Sequence, residues 1–296
     1  MNGTELLAVR FQEHRGHLRS VAYRLLGSLS ETEDAVQETW LRLDRAEPDE
    51  IGDPDGRFTT LVGRVCLDRL RARAVRRADP LADAFVPDPV IGPLSRTDPE
   101  QAVLYADAVG LALLVVLEDL EPAQRLAFVL HDMFAVSFDD IAPILERSPA
   151  AARQLAGRAR RRVQGAAPSA EPDAGRQREA VEAFLAASKA GDFEALVAVL
   201  HPDAVLRADS GVPTGAAASR VVRGARAVAE QALLFREFAQ HARLALINGE
   251  VGVVNVPEGR PLSVAGVTVV EGRIVALHVL ADPERLARLG LPGATG

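Results

Sequence analysis

The chain has 296 residues, 48% of them hydrophobic and 25% charged, with a formal net charge of −7. The length sets a prior of about two domains, and the composition is that of a folded globular protein rather than a disordered one. Cys66 is the only cysteine, which excludes disulfides and thiolate zinc sites and fits a cytosolic home. No apolar run is long enough to span a bilayer, and the N-terminus lacks a signal peptide's charged-then-apolar order.

Charge placement says more than net charge. A free-standing DNA binder usually carries a basic excess, because neutralising phosphates drives its affinity. Here arginine gathers in two clusters of an acidic chain: Arg69, Arg71, Arg73, Arg76 and Arg77, then Arg153, Arg158, Arg160, Arg161 and Arg162. Such a chain is expected to bind DNA poorly alone and well with help.

Residues 5–46 read as two helices. Leu18, Val21, Ala22, Leu25 and Leu26 form the first apolar stripe. Ser30 and Glu33 are spaced as a capping box for the second, whose stripe is Ala35, Val36, Thr39, Trp40 and Leu43. Trp40 is read as core. The opposite face is polar: Glu31, Asp34, Gln37, Glu38 and Arg42. Residues 47–56 read as a loop, followed by a helix from about Arg57 to Arg77 with Phe58, Leu61, Val62, Val65 and Cys66 inward. Its last turns are the first arginine cluster, which the helix dipole also favours there.

Residues 78–99 hold five prolines and read as a linker, yet the segment Phe85-Val86-Pro87-Asp88-Pro89 pairs apolar residues with prolines and can dock on a neighbouring surface. A helix is expected from Asp98 to about Leu117. The stretch 120–165 then reads as three helices. Leu126, Val129, Leu130, Met133 and Phe134 share a face of the first. Ser137 caps the second, with Asp140 as its capping-box carboxylate and Pro143 as an interior departure. Ser148 and Pro149 open the third. A short helix, a tight turn and a longer arginine-rich helix form a helix-turn-helix pattern. Ala151, Ala152, Leu155, Ala159 and Val163 fall inward. Ala150, Arg153 and Gln154 are the candidate base readers, with Arg158, Arg160 and Arg161 as phosphate clamps.

After a second linker at 165–175 the pattern changes. Helices over 176–190 and 193–200 precede a strand at HPDAVLRAD, a helix over about 224–239, and four alternating segments, the first two joined at Asn248-Gly249. Helices first and an antiparallel sheet after indicate an α+β domain.

The segments YRLLGSLSETEDAVQETWLRL (23–43) and FTTLVGRVCLDRLRARAVRR (58–77) resemble region 2 of RNA polymerase sigma factors of the extracytoplasmic-function group, and residues 120–163 resemble region 4. The C-terminal part resembles the SnoaL-like, NTF-like cone fold, as in the subgroup with a fused SnoaL-like extension. That subgroup's WLPEP-type linker motif is matched by Phe85, Val86, Pro87, Asp88 and Pro89. Its NPDKL-type motif is matched by Ala281 to Leu286, with Asp282, Pro283, Arg285 and Leu286. Its DGGGK-type motif survives only as Asp209-Ser210-Gly211-Val212-Pro213, without the lysine.

The resemblance implies a multidomain chain of two all-α domains and an α+β cone domain. Its parts are region 2 (5–78), a linker (79–98), region 4 (99–164), a second linker (165–175) and the SnoaL-like domain (176–296). It implies a cytoplasmic sigma factor that binds core RNA polymerase through Asp34, Gln37, Glu38 and Leu41. Promoter DNA, melted in one place and duplex in another, is the second partner. Region 2 would meet it through Arg57, Thr59, Thr60, Arg64, Arg69, Arg71, Arg73, Arg76 and Arg77, with loop 47–57 taking an unstacked base. Region 4 would meet it through Ser148, Ala150, Arg153, Gln154, Arg158, Arg160 and Arg161. The extension would regulate in place of a separate anti-sigma protein, its cavity being open to a small ligand. No cofactor, metal or membrane contact is expected. Two alternatives stand beside this. One is a one-component regulator with a ligand-sensing domain, a reading in which two separate arginine clusters and the acidic helix 31–42 have no role. The other is a SnoaL-like cyclase or isomerase using Asp209, His241 and His278; no nucleophile elbow, P-loop or metal-ligand spacing supports it.

Overall fold

A computed structural model describes residues 3–44, 54–76, 84–92, 94, 110–166, 173–212 and 218–291. It divides the chain into two units, Met1–Ala78 with Val116–Ala166 and Asp79–Val115 with Ala167–Gly296. The segment after the first arginine cluster therefore groups with the C-terminal residues, not with the helices on either side of it in sequence.

In the first unit, helix α1 (Gly3–Leu26) buries the expected stripe, Leu18, Val21, Ala22, Leu25 and Leu26. Helix α2 (Leu29–Asp44) corrects the expected cap. Ser28 caps it rather than Ser30: the Glu31 N–H donates to the Ser28 Oγ at 3.5 Å and the Thr32 N–H to the Ser28 carbonyl at 3.0 Å. Ser28 and Glu31 keep the same three-residue spacing, two positions earlier. Trp40, expected in the core, is partly buried, its ring 5.1 Å from that of the buried Phe11. Helix α3 (Pro54–Arg76) buries Phe58, Val62, Val65 and Cys66. Gly63 lets the following helices approach: a Cβ there would lie 3.3 Å from Leu130 and 3.4 Å from Ile144.

The expected helix through Leu126–Phe134 is two segments, an α-helix Pro122–Phe128 and a π-helix Val129–Met133. The wider turn keeps Leu126, Val129 and Leu130 buried, so the apolar spacing alone does not reveal it. Helix Phe138–Leu145 has the expected cap: the Ser137 Oγ accepts the Asp140 N–H at 3.2 Å and donates to the Asp140 carboxylate at 2.5 Å. Pro143 is accommodated within it, and Glu146 ends it at φ 55°. Helix Pro149–Ala166 buries Ala152, Ala156 and Ala159, a seam of small side chains, while Leu155 and Val163 are only half-buried.

The second unit is a seven-stranded sheet in the order β1-β4-β5-β6-β7-β2-β3: β1 (Ile91–Gly92), β2 (Leu200–Asp209), β3 (Arg220–Arg223), β4 (Ala242–Ile247), β5 (Glu250–Asn255), β6 (Ser263–Val270) and β7 (Arg273–Leu280). The sheet is mixed, which corrects the antiparallel expectation: β2 runs parallel to β7, pairing Leu206 with Leu277. Alternation of apolar residues marks a strand's faces but not its direction. Helices Ala174–Ala190, Phe193–Val199 and Ala225–Leu234 pack Val181, Phe184, Leu196 and Val228 onto one sheet face, at Leu206, Leu246, Val251, Val267 and Leu277. The expected helix over 224–239 is interrupted at Phe235 and resumes as Arg236–Ala239.

By alternation, Asp209, Ile247, Gly266 and His278 face the other way. That side receives the chain before the recognition module. Leu111, at the start of helix Leu111–Glu118, lies where a Cβ on Gly266 would be, 2.7 Å from it. β1 pairs with β4, Ile91 opposite Ile247, and Asn248 fixes the join: its Oδ1 accepts the Val90 N–H at 2.9 Å and its N–H donates to the Val90 carbonyl at 2.8 Å.

Candidate nucleic-acid interface and linker clamp

The recognition helix presents the residues expected of it. Ala150, Arg153, Gln154, Arg158, Arg160 and Arg161 are exposed, and Ser148 serves as the cap, its Oγ accepting the Ala151 N–H at 3.2 Å. Arg153 and Arg160 are held from the same unit. The Arg153 guanidinium lies 5.1 Å over the Phe138 ring, and the Arg160 Nε donates to Asp132 at 2.7 Å.

The region 2 candidates divide. Arg64 and Arg71 are exposed and Arg57 half-exposed. Thr59 is buried, its hydroxyl 3.4 Å from the His17 ring, and the Thr60 hydroxyl donates to the Gly56 carbonyl at 2.8 Å. Arg69 and Arg73 turn toward α2: Arg69 pairs with Glu38 at 2.9 Å and lies 3.8 Å from Asp34, while Arg73 pairs with Glu31 at 2.6 Å and donates to the Leu26 carbonyl. The acidic face of α2 and the arginines of α3 thus neutralise each other where they meet. Burial would raise the Glu38 carboxyl, but hydrogen bonds from Arg69 and Arg42 outweigh it and hold the group below its ordinary range. Gln37 and Leu41 are exposed beside it. The Arg76 side chain, Arg77 and loop positions 47–53 lie outside the described residues.

The linker segment is folded onto the C-terminal unit through one guanidinium. Asp282 caps helix Pro283–Ala287, its Oδ1 accepting the Glu284 and Arg285 N–H groups at 2.9 and 3.2 Å. That cap sets the direction of Arg285. Its Nε donates to the Asp88 Oδ1 at 2.7 Å, its Nη1 to the Asp209 Oδ2 at 2.7 Å and its Nη2 to the Val86 carbonyl at 2.6 Å. The guanidinium also lies 4.9 Å over the Phe85 ring. Asp209 closes the ring of contacts by accepting the Val86 N–H at 3.1 Å and, on its other oxygen, the Gly211 N–H at 3.2 Å. Val86, Pro87, Asp88 and Pro89 are all buried. A charged pair taken out of water stabilises only when its remaining donors and acceptors are also met, and this cluster meets that condition. Gly211 is required twice over: its φ is +70°, and a Cβ would lie 2.6 Å from the Asp282 Oδ2. Pro283 and Leu286 complete the motif, Leu286 buried beneath the short helix. Pro213 lies outside the described residues.

The three acid–base candidates stand in different settings. Asp209 is committed to the clamp, His241 is exposed, and His278 is buried between Arg207 and Gly266 of the adjoining strands with its Nδ1 unpartnered. Burial, with the charge of Arg207, pushes the His278 imidazole down to about 3, so it stays neutral. Among the described residues no group of three or more His, Cys, Asp or Glu is placed to hold a metal.

Residues 10–76 match the Sigma-70 region 2 family and residues 110–163 match Sigma-70, region 4. Across almost the whole chain the similarity extends to the ECF RNA polymerase sigma factor SigJ of Mycobacterium tuberculosis, 42% identical over 292 residues, 93% of this chain and 91% of that one. The chain is an ECF RNA polymerase sigma factor. SigI of the same organism is 31% identical over 291 residues, covering 97% of each chain. The crystal structure of SigJ superposes with a TM-score of 0.73 at 38% identity, covering 97% of this chain and 98% of that one. Helical sigma modules followed by a helix-and-sheet domain therefore form the architecture of this sigma factor. Core RNA polymerase and promoter DNA are its partners. Among the described residues no helix is long and apolar enough to cross a membrane.

Sequence reasoning misses three elements of the site. Nothing in the sequence marks Phe138 as more than a core residue, or Asp132 as a partner for an arginine, although each holds one from the recognition helix. Asn248 reads as a turn former, and its buried side chain also fastens the linker.

Proposed function

We propose that this sigma factor regulates its own promoter use through the C-terminal unit, by holding the segment between regions 2 and 4 in the Arg285 clamp. The observation that carries this reading is the single guanidinium shared by Asp88, Val86 and Asp209, which join residues 197, 199 and 76 positions away from it. A docked linker shortens the tether between two DNA-reading modules. Tether length sets the effective concentration of the second module once the first has bound.

In this account the recognition helix reads the upstream promoter element through Arg153 and Gln154, with Arg158, Arg160 and Arg161 on phosphates. Arg64 and Arg71 of α3 lie along the second element, and Asp34, Gln37, Glu38 and Leu41 meet the polymerase, all in the cytoplasm. The C-terminal unit performs no catalysis in this account, because Asp209 serves the clamp and His278 is walled off.

Run-off transcription with core polymerase tests the proposal, comparing the full chain, Arg285→Ala and a chain ending before Ala281. Both changes are expected to alter transcript yield in the same direction. Yields equal to that of the full chain would remove the regulatory role while leaving the sigma activity itself untouched.

A further inference from the structure

The π-helix Val129–Met133 does more than cover the core: of two consecutive residues in it, Asp132 holds Arg160 directly and His131 supports the ring under Arg153. His131 stacks on Phe138, ring centroids 3.9 Å apart and planes 28° from parallel. A ring that close covers one face of Phe138 and leaves the other to Arg153, 5.1 Å away. The His131 Nδ1 lies 2.9 Å from the Val136 carbonyl, which can only accept, so Nδ1 carries the proton and the imidazole is fixed in its plane. The next residue, Asp132, takes Arg160, which stands seven positions after Arg153 and so on the same helix face. The extra residue of a π-turn re-aims the side chains after it by about 100°, one residue's rotation in a helix.

We propose that Phe138, seated on His131, is a positioning residue for Arg153 in reading the upstream promoter element. A guanidinium held over an aromatic ring is placed without using its N–H donors in a hydrogen bond, so they stay available for the bidentate contact that a guanine requires. It also fixes in advance a long side chain that would otherwise lose rotamer freedom on binding DNA. This inference rests on Arg153 being a base reader, and the experiment separates the two claims.

Full-length protein with core polymerase would be assayed for run-off transcription on promoters carrying every single base substitution in the upstream element. Arg153→Ala is expected to flatten preference at one or two base pairs, on the order of tenfold. Phe138→Leu is expected to flatten preference at the same base pairs by about two- to fivefold, with preferences elsewhere unchanged. Phe138→Tyr keeps an aromatic face and should keep the wild-type preference. Phe138→Leu should add nothing in an Arg153→Ala background. Wild-type preference in Phe138→Leu, or a uniform loss across all sequences, overturns the positioning role. If Arg153→Ala leaves every preference unchanged, Arg153 is not a reader and the positioning role falls with it.

Discussion

Arg125 and Glu118 form a buried ion pair that fastens the recognition module to region 2. The Arg125 Nη1 donates to the Glu118 Oε1 at 2.7 Å and to the Leu25 carbonyl at 2.9 Å, and the Arg125 side chain is 2% exposed. Glu118 also lies 3.7 Å from Arg73, so the pair extends to the arginine helix. A carbonyl at the end of α1 is thus capped by a side chain 100 residues away.

Removing one partner of such a pair strands the other charge. Arg125→Met or Glu118→Gln should each destabilise the first unit by about 3–5 kcal/mol, whereas the double change to Met and Leu should cost far less. Chemical denaturation of the three variants measures this, and additive losses would show that the two residues act separately.

Gly211→Ala should loosen the linker without touching any of its hydrogen-bonding groups. The substitution forces an L-residue into a φ of +70° and a methyl against Asp282, the cap that aims Arg285. A left-handed conformation alone costs about 1–2 kcal/mol. Hydrogen exchange at the Val86 amide, which donates to Asp209, should quicken in this variant and stay as in the wild type at amides of α1. Unchanged protection at Val86 would mean that the loop rearranges without disturbing the clamp.

Two desolvated groups give the C-terminal unit opposite acid–base sensitivities. Desolvation raises the Glu250 carboxyl from an ordinary value of 4.5 to about 7. The folded state then binds more protons than the unfolded one between those values, so this contribution to stability falls as pH rises through that window. His278 is lowered from 6.5 to about 3, so its contribution is lost as pH falls from 6.5. Glu250→Gln should therefore stabilise the protein at pH 8 by roughly 2–3 kcal/mol, since each tenfold change in proton affinity is worth about 1.4 kcal/mol, and do little near pH 4. Thermal or urea unfolding at the two pH values decides it, and an equal effect at both would contradict the assignment.

The helix-turn-helix was legible because its signals are local. The period of Ile141, Ala142 and Leu145, the Ser137–Asp140 cap and the Ser148-Pro149 start lie within a few residues of what they control. Ser28 takes the place of Ser30 because two serines offer the same spacing to two glutamates, Glu31 and Glu33, and only packing chooses between them. β1 was not legible: a two-residue strand has no period, it pairs with Ile247 and Leu246 far along the chain, and Asn248, which fastens the preceding Val90, stands 158 positions from it. The parallel pairing of β2 with β7 was hidden because alternation marks a strand's faces and not its direction. The arginines of α3 were visible as a cluster, but nothing in their spacing showed that Arg69 and Arg73 turn to Glu38 and Glu31. Arg285 stood out through resemblance alone, since a lone arginine after a strand carries no signal of three acceptors brought from elsewhere.

The clamp is tested most directly by run-off transcription with core polymerase on promoters in which the spacing between the two recognised elements varies one base pair at a time. The full chain should use a narrow range of spacings. Arg285→Ala should accept a wider range, and Arg285→Lys should behave like it, since a lysine keeps the charge but cannot supply the fork that reaches Asp88, Asp209 and Val86 together. One spacing profile shared by all three proteins would contradict the account.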